Sequence, residues 1–527
     1  MIRINIAKRE WVLLALAMLL AAGIKLGLVL AGTVPFNSDE AVVALMARHI
    51  LQGARPVFFY GQAYMGSLDS WLIASAYSLF GESVLAVRLV QIAVYLLYML
   101  SIWLLTRSLF SEKRIAVLAV ALAAVPTVMV TTYTTASLGG YGEILVLGNL
   151  ILWLGYQVTW GRWQGSWLAW LVLGIIGGLA FWTLGMAVVY LLPVGVMIAR
   201  RFRRGQLGRI VCGLTGFVIG SSPWWYYNLA QNWAALRTLV DSGAGDTTPW
   251  EHLISFALLG MPAVAGLRFP WSAEFSPLPV LAVGLLLYLA AGMYVVWSLK
   301  NDRKIFSPGA VGLLSLYTLA YLLAFIGTRF GIDGTGRYLL PLNLLIIISL
   351  AIMINAAWQR SPAWGMGILL LVLAVNAAET WRAASLPEKI TTQFDPVTRF
   401  DNRYDAALIS FLRQNGEERG YSNYWVSFRL AFLSAEQLIF APALPYKTDL
   451  SYAPSDNRYP GYGRLVSESR KVAYITSLNP NLDGQLRAGM VKEGVSFEEQ
   501  QIGPYHIFYN LSRAAGPLEI GLASSSP

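Results

Sequence analysis

WVLLALAMLLAAGIKLGLVLAG (residues 11–32), followed by TVPFNSDEAVVALMARHILQGARPVFFYGQAYMGSLDSWL (residues 33–72), decides how this chain is read. The first piece is an apolar run of about 22 residues. That is long enough to cross a hydrocarbon layer of roughly 30 Å and longer than the core of a cleaved leader, so it reads as a retained spanning helix. Lys25 alone interrupts it. The second piece has the wrong composition for a connector: Asp39, Glu40, Arg48, His49, Arg55 and Asp69 stand among a dense set of aromatics. An acidic pair that opens a helical pattern just beyond a membrane span is where the chemistry of a membrane enzyme is expected.

The rest of the chain agrees with a membrane reading. Of 527 residues, 56% are hydrophobic and 13% charged, against about 25% charged in a soluble domain, and the mean hydropathy is +0.54. Apolar runs recur at 84–106, 115–131, 143–158, 167–182, 185–199, 209–228, 278–299, 306–327, 338–358 and 363–380, which with the first gives about eleven transmembrane helices. Basic residues fall on alternate loops: Arg3, Lys8 and Arg9; Arg107, Lys113 and Arg114; Arg200, Arg201, Arg203, Arg204 and Arg209; Lys300, Arg303 and Lys304. The positive-inside rule then puts the amino terminus in the cytoplasm of a multi-pass plasma (inner) membrane protein and the carboxyl tail outside. This depends on a very tight reversal at Trp182–Gly185. The long loops, 33–83, 131–143, 229–277 and 328–339, all lie on the outer side, where a rigid scaffold can position a site.

Several function classes drop out. The formal charge of +10 is spent on topology signals in short loops and forms no nucleic-acid-binding face. One cysteine, Cys212, and three scattered histidines, His49, His252 and His506, give neither a disulfide framework nor a zinc motif. Neither GxGxxG opening a helix after a strand nor GxxxxGK[ST] occurs, so dinucleotide and ATP sites are not indicated. After residue 380 the composition turns soluble, and from about 395 helix-like and strand-like pieces alternate: RYDAALISFLRQNG, YSNYWVS, FRLAFLSAEQ, LIFAP, KVAYITS, NLDGQLRAGMVKEG, VSFEEQQIG and PYHIFYNLS. The expected organisation is a polytopic α-helical membrane domain, 1–380, followed by an extracytoplasmic α/β domain with a partly parallel sheet, 381–527, that ends in a disordered tail.

Within the first loop, Asn37 or Ser38 can cap a helix that starts near Asp39 and stops at Gly53. Acids in that first turn complement the helix dipole, which accounts for Asp39 and Glu40 without any chemistry. Their place outside a span, in loops otherwise poor in acids and beside an aromatic stretch, adds a catalytic role as the second reading. Phe58, Phe59, Tyr60, Tyr64 and Trp71 suit a membrane interface, and Tyr60, Gln62 and Tyr64 also suit a groove for a lipid-linked or sugar ligand. Asp69 reads equally as a second carboxylate and as a helix-surface acid. Glu143, at the mouth of an apolar span, is expected to face the bundle interior, where Gly139, Gly140 and Gly142 allow close approach of a ligand. Arg337 offers a fork for phosphate, with snorkelling to headgroups as the plain alternative, and Arg88 can serve similarly. His49 belongs to the amphipathic face of the loop helix, with ligand or metal contact as its second-rank reading. Carboxylates, arginines and aromatics beside lipid, with no nucleophile triad, fit sugar transfer from a lipid phosphate: a base deprotonates an acceptor hydroxyl while cations hold the leaving phosphate.

The run NSDEAVVALMARHILQGARPVFFYGQAYMGSLDSWL, with AVRLVQ, SLGGYGEILVLGNL, SSPWWYYNL, GRYLLPL and the tail segment YSNYWVSFRLAFLSAEQLIFAP, resembles the membrane glycosyltransferases of the GT-C fold. Among them it is similar to bacterial protein O-mannosyltransferases and the lipid A aminoarabinose transferases. The resemblance implies Asp39 as catalytic base, Glu40 as helper, Glu143 as a second functional acid, a polyprenyl-phosphate-linked sugar as donor, and transfer on the outer face with inversion. It also implies a divalent metal cation, which some relatives bind near the site. The acceptor is a hydroxyl on a protein, lipid or glycan. This chain has no insertion the size of the β-trefoil domain of eukaryotic protein mannosyltransferases, so acceptor choice does not carry over. A transporter of a lipid-linked or small solute is the rival reading, and a non-catalytic scaffold binding cell-wall material the third. Charges gathered in outer loops, away from the midplane, and no evident inverted repeat weigh against a transporter.

Overall fold

The computed structural model describes residues 8–241, 247–398 and 402–522. Among these, six helices are long and apolar enough to cross a membrane: Lys8–Leu30, Val84–Leu109, Tyr141–Thr159, Leu278–Asn301, Arg337–Arg360 and Pro362–Ser385. Trp167–Thr183, Gly185–Arg200 and Ala310–Ile326 are shorter apolar helices. Two expected spans are broken. The run 115–131 divides into Lys113–Ala124 and Val128–Tyr133 around Pro126, and 209–228 divides into Leu207–Gly220 and Ser222–Ala230 just before Pro223. Proline lacks an amide hydrogen and cannot continue a helix ladder without loss. At the expected reversal, Leu184 takes extended backbone (φ −159°, ψ 130°) and separates the helices on either side.

Small residues let two of these helices pack backbone to backbone. A Cβ on Gly174 would lie 1.9 Å from the Gly213 carbonyl oxygen, one on Gly178 would lie 2.1 Å from that of Phe217, and one on Gly220 would lie 2.1 Å from that of Ile175. The spacings Gly174-x-x-x-Gly178 and Gly216-x-x-x-Gly220 are the small-residue pattern of helices that associate in lipid. Leu286, Leu289 and Met293 on helix Leu278–Asn301 stay exposed, the surface a bilayer would cover.

By packing, the chain forms two compact units. The first comprises residues 1–34, 64–69 and 88–390, and the second residues 35–63, 70–87 and 391–527. Most of the first loop therefore groups with the C-terminal chain, whereas the division expected at 380/381 left it with the membrane helices. In that loop, β1 (Phe58–Phe59) and β2 (Gln62–Gly66) form a two-stranded sheet.

The C-terminal part of the second unit is α/β, as its alternating pattern indicated. Strands β3 (Arg419–Asn423), β4 (Ile439–Leu444), β5 (Ala473–Ser477), β6 (Glu498–Ile502) and β7 (Tyr505–Tyr509) lie in the order β4-β3-β5-β7-β6. β3 is parallel to β4 and to β5, while β7 is antiparallel to β5 and to β6. The segment YSNYWVS is only half strand. Asn423 Oδ1 accepts a bond from the Val426 amide and so starts helix Tyr424–Leu433 directly at the carboxyl end of β3. The expected disordered tail is ordered at first, because Ala515, Ile520 and Leu522 are buried and Ile520 backs onto Gly489. Residues 523–527 lie outside the described residues.

Candidate active site

The loop helix runs Ser38–Leu51 with Asn37 as its cap, the Asn37 Oδ1 accepting from the Glu40 amide, and Gly53 beyond its end at φ 104°. Asp39 and Glu40 occupy its first turn, where the positive end of the helix dipole favours carboxylates. Their surroundings differ. Glu40 is fully buried, whereas Asp39 is half-buried. The start of this helix is tied to the C-terminal chain: Asn37 Nδ2 donates to Thr392 Oγ1 (2.6 Å), Asn402 Nδ2 to the Phe36 carbonyl (2.8 Å), and the Tyr424 hydroxyl to Asp39 Oδ1 (2.5 Å). The Arg458 guanidinium lies 5.5 Å from the Tyr424 ring centre and 6.0 Å from that of Phe59. Buried Asp456 completes the surroundings. Burial pushes its carboxyl up to about 6, with the Asp39 charge acting in the same direction and Arg458 and Lys447 opposing.

The other end of the loop helix carries a second network. His49 Nδ1 pairs with the Tyr60 hydroxyl (2.9 Å) and Nε2 with Glu436 Oε1 (3.0 Å), which also accepts from the Tyr462 hydroxyl (2.7 Å). Arg48 reaches Glu82 (2.8 Å), Glu436 (3.4 Å) and the Phe432 carbonyl (3.2 Å). Tyr60 stacks on Tyr459 at 4.9 Å, and burial, with the Tyr459 and Glu436 charges, pushes its hydroxyl upward, so it stays protonated. Gly61, at φ 71°, lets Arg458 pass: a Cβ there would lie 3.1 Å from the Arg458 Cα. His49 is thus engaged by Tyr60 and Glu436, more than the residue of an amphipathic face it was expected to be. Gln62 follows at the start of β2, half-buried.

In the first unit, Asp69 is 1% exposed, which corrects the reading of it as a helix-surface acid. Its oxygens accept from Gln91 Nε2 (2.8 Å) and Ser137 Oγ (2.6 Å), and the Glu143 carboxyl lies beside it. Burial pushes the Asp69 carboxyl above its ordinary range, against those bonds. Two adjoining buried carboxyls require a shared proton. Glu143 is buried at the third position of its helix, and neither of its oxygens has a hydrogen-bond partner among the described residues. The glycines next to it are approached by protein: a Cβ on Gly142 would lie 3.2 Å from Val94 and 3.3 Å from Gln91, and one on Gly140 (φ 97°) would lie 2.9 Å from Thr183.

The predicted phosphate ligands divide. Arg88 is 1% exposed and its Nη2 donates to the Val34 carbonyl (3.2 Å). Arg337 has a side chain 40% exposed, and its Nε donates to Asp333 (2.7 Å). Its terminal nitrogens make no hydrogen bond among the described residues, which leaves the fork open. Tyr64 is half-buried on β2. Lys25, which the sequence marks only as an interruption, is 1% exposed and donates to the Thr134 carbonyl (3.1 Å), Thr134 Oγ1 (2.8 Å) and Thr135 Oγ1 (2.8 Å).

The groups missed in the sequence, Tyr424, Arg458, Asp456, Glu436, Gln91 and Ser137, come mostly from remote segments. Only Gln91, one turn beyond Arg88 in an apolar span, had a local signal. Among the described residues, no three His, Cys, Asp or Glu side chains gather into a group able to hold a metal ion. The expected divalent cation therefore finds no assembled ligand set among the described residues.

Many apolar helices, a first-loop helix that opens on an acidic pair and a C-terminal mixed sheet make up a fold shared with solved membrane proteins. Residues 67–227 match the family described as dolichyl-phosphate-mannose-protein mannosyltransferase, a stretch that takes in Asp69, Arg88 and Glu143 and begins after Asp39. The chain is 25% identical over 385 residues to undecaprenyl phosphate-alpha-4-amino-4-deoxy-L-arabinose arabinosyl transferase of Pseudomonas aeruginosa (strain UCBPP-PA14). That alignment covers 66% of each protein, just under two thirds of the relative's length. ArnT from Cupriavidus metallidurans, solved with bound undecaprenyl phosphate, shares the fold with a TM-score of 0.60 and 14% identity over 97% of this chain and 100% of that one. The oligosaccharyltransferase of Archaeoglobus fulgidus, solved with Zn and sulfate, is similar with a TM-score of 0.50 and 13% identity over 97% of this chain and 74% of that one.

Proposed function

We propose that this protein moves a sugar from a polyprenyl-phosphate donor to a hydroxyl acceptor at the outer face of the plasma (inner) membrane, with its amino terminus in the cytoplasm. Asp39 takes the acceptor proton as the acceptor oxygen bonds to the anomeric carbon. The bond from that carbon to the phosphate oxygen breaks on the opposite face, which inverts the configuration, and the polyprenyl phosphate leaves with the electron pair. Phosphate is a good leaving group, so a single base suffices and no general acid is required.

One observation carries this reading: Asp39 is a half-buried carboxylate at a helix amino terminus, with one oxygen tied to Tyr424 and no other hydrogen-bond donor to it among the described residues. In the unit that holds Asp39, Tyr60 and Gln62 suit the sugar or the isoprenoid; in the other unit, the fork of Arg337 suits a phosphate and Tyr64 an apolar ligand. Buried Glu40 orients the helix start. The Asp69–Glu143 pair serves as a proton-holding group in the membrane unit. The ligands of similar proteins, undecaprenyl phosphate in one solved structure and the donor named for the Pseudomonas enzyme, support a lipid-phosphate donor.

The test is a comparison of glycans, glycoproteins and lipids by mass spectrometry in cells lacking the gene, with complementation by wild type and by Asp39→Asn. A pentose or hexose modification should vanish on deletion and return only with wild type. Identical masses in all strains would refute the proposal.

A further inference from the structure

Tyrosine hydroxyls of the C-terminal α/β chain donate to backbone carbonyls and to carboxylates. Tyr474 donates to the Ala515 carbonyl (2.5 Å) and Tyr452 to the Pro442 carbonyl (2.9 Å), both fold-holding bonds to backbone. Tyr462 and Tyr505 donate to Glu436 and Asp405 within the C-terminal chain, whereas Tyr424, 2% exposed, donates to the first-loop carboxylate of Asp39. It is placed to do so. Asn423 ends β3 and caps the following helix, so Tyr424 is the first helical residue beyond the carboxyl end of a parallel strand. That edge is where open α/β sheets present functional groups.

The contact is built on both sides. Arg458 lies against the Tyr424 ring, while Thr392 and Asn402 hold Asn37 and Phe36 just ahead of Asp39. Burial and the Asp39 charge push the Tyr424 hydroxyl upward, so it remains a donor throughout the physiological range. A hydroxyl that donates to the ionised form of an acid favours that form and fixes its plane.

We propose that Tyr424 is a positioning residue for Asp39: it holds Oδ1 and leaves Oδ2 as the oxygen that receives the acceptor proton, so the C-terminal domain completes the catalytic loop. This rests on Asp39 being the base. The charged and titratable groups acting around Asp39 are Tyr424, Arg458, Asp456 and Tyr446, with Glu40 next to it on its own helix.

The experiment uses full-length protein in lipid nanodiscs with an undecaprenyl-phosphate sugar that the wild type turns over, and compares wild type, Tyr424→Phe, Asp39→Asn and a protein with fluorotyrosine at position 424. Tyr424→Phe keeps the ring and removes only the hydroxyl. It should lower kcat about 10- to 100-fold with donor KM unchanged, and move the acid limb of the kcat profile up by about one pH unit. Fluorotyrosine, a stronger donor in the same ring, should move that limb down, a readout that survives if the phenylalanine variant fails to fold. An inactive Asp39→Asn together with wild-type kcat and unmoved limbs in both position-424 variants would overturn the role of Tyr424 alone. Full turnover by Asp39→Asn would overturn the base assignment beneath it.

Discussion

Lys25→Met tests whether a buried ammonium in the first span orders the second loop. Lys25 donates three hydrogen bonds, to the Thr134 carbonyl, Thr134 Oγ1 and Thr135 Oγ1, and sits 4.2 Å from the centre of the Tyr95 ring. No carboxylate pairs with it among the described residues. Methionine fills nearly the same volume and removes only the charge and the donors. Thr134 Oγ1 keeps its own bond to the Val130 carbonyl, so the acceptors left without a donor are the Thr134 carbonyl and Thr135 Oγ1. Each of these two neutral buried acceptors costs about 1–2 kcal/mol when orphaned. The desolvation penalty of the ammonium, itself several kcal/mol, is relieved at the same time. The global unfolding midpoint should therefore move little, while opening of the loop becomes easier by about 2–4 kcal/mol. At 1.4 kcal/mol per tenfold, hydrogen-exchange protection of peptides within 131–143 should fall about 30- to 700-fold in the variant in nanodiscs. Because this loop supplies Ser137 to Asp69, kcat/KM should fall with it. Unchanged protection at 131–143 would show that the loop is held by packing alone and refute the reasoning.

Glu436→Gln should destabilise the protein by about 1–2 kcal/mol at pH 7, because an amide nitrogen replaces the oxygen that faces Arg48. Although burial pushes the Glu436 carboxyl up, the bonds from His49 and Tyr462 and the charges of His49 and Arg48 outweigh it and hold the group below its ordinary 4.5. A depressed folded value means stability present above 4.5 and lost as pH falls, so thermal midpoints of the two proteins should converge in acid. Asp456→Asn should behave in the opposite sense. A carboxyl raised from 3.8 to about 6 favours folding below 3.8 and loses that advantage as pH rises through 6. The variant should gain on wild type above pH 6, by at most roughly 3 kcal/mol at 1.36 kcal/mol per unit and nearer 1–2 where solvent reaches the group. Melting curves at pH 5 and pH 8 check this, and an equal difference at both pH values would contradict it.

Local signals carried much of the architecture. The cap at Asn37, the stop at Gly53 and the acid pair between them follow from nearest-neighbour chemistry, and the helix forms as those residues dictate. The apolar runs likewise fall on helices, although Pro126 and Pro223 divide two of them. The mixed sheet was legible as alternation, but YSNYWVS misled because Asn423 reads as a strand residue until its cap on Val426 is seen. Tertiary partners were not legible. Nothing near Asp39 in sequence announces Tyr424, 385 positions away, or Asp456, and nothing near His49 announces Glu436. Asp69 read equally as a second carboxylate and as a helix-surface acid, and its bonds from Gln91 and Ser137, both remote in sequence, favour the first. Arg88, which its charge singles out, is buried and donates to the Val34 carbonyl, a partner nothing beside it in sequence announces.

The most direct measurement is polyprenyl-phosphate release by purified Asp39→Asn protein beside wild type, in nanodiscs with saturating donor and acceptor. Asparagine keeps the shape and the contact with Tyr424 but cannot accept the proton. Turnover should fall about 10²- to 10⁴-fold, with donor affinity retained. Turnover within threefold of wild type would contradict Asp39 as the base.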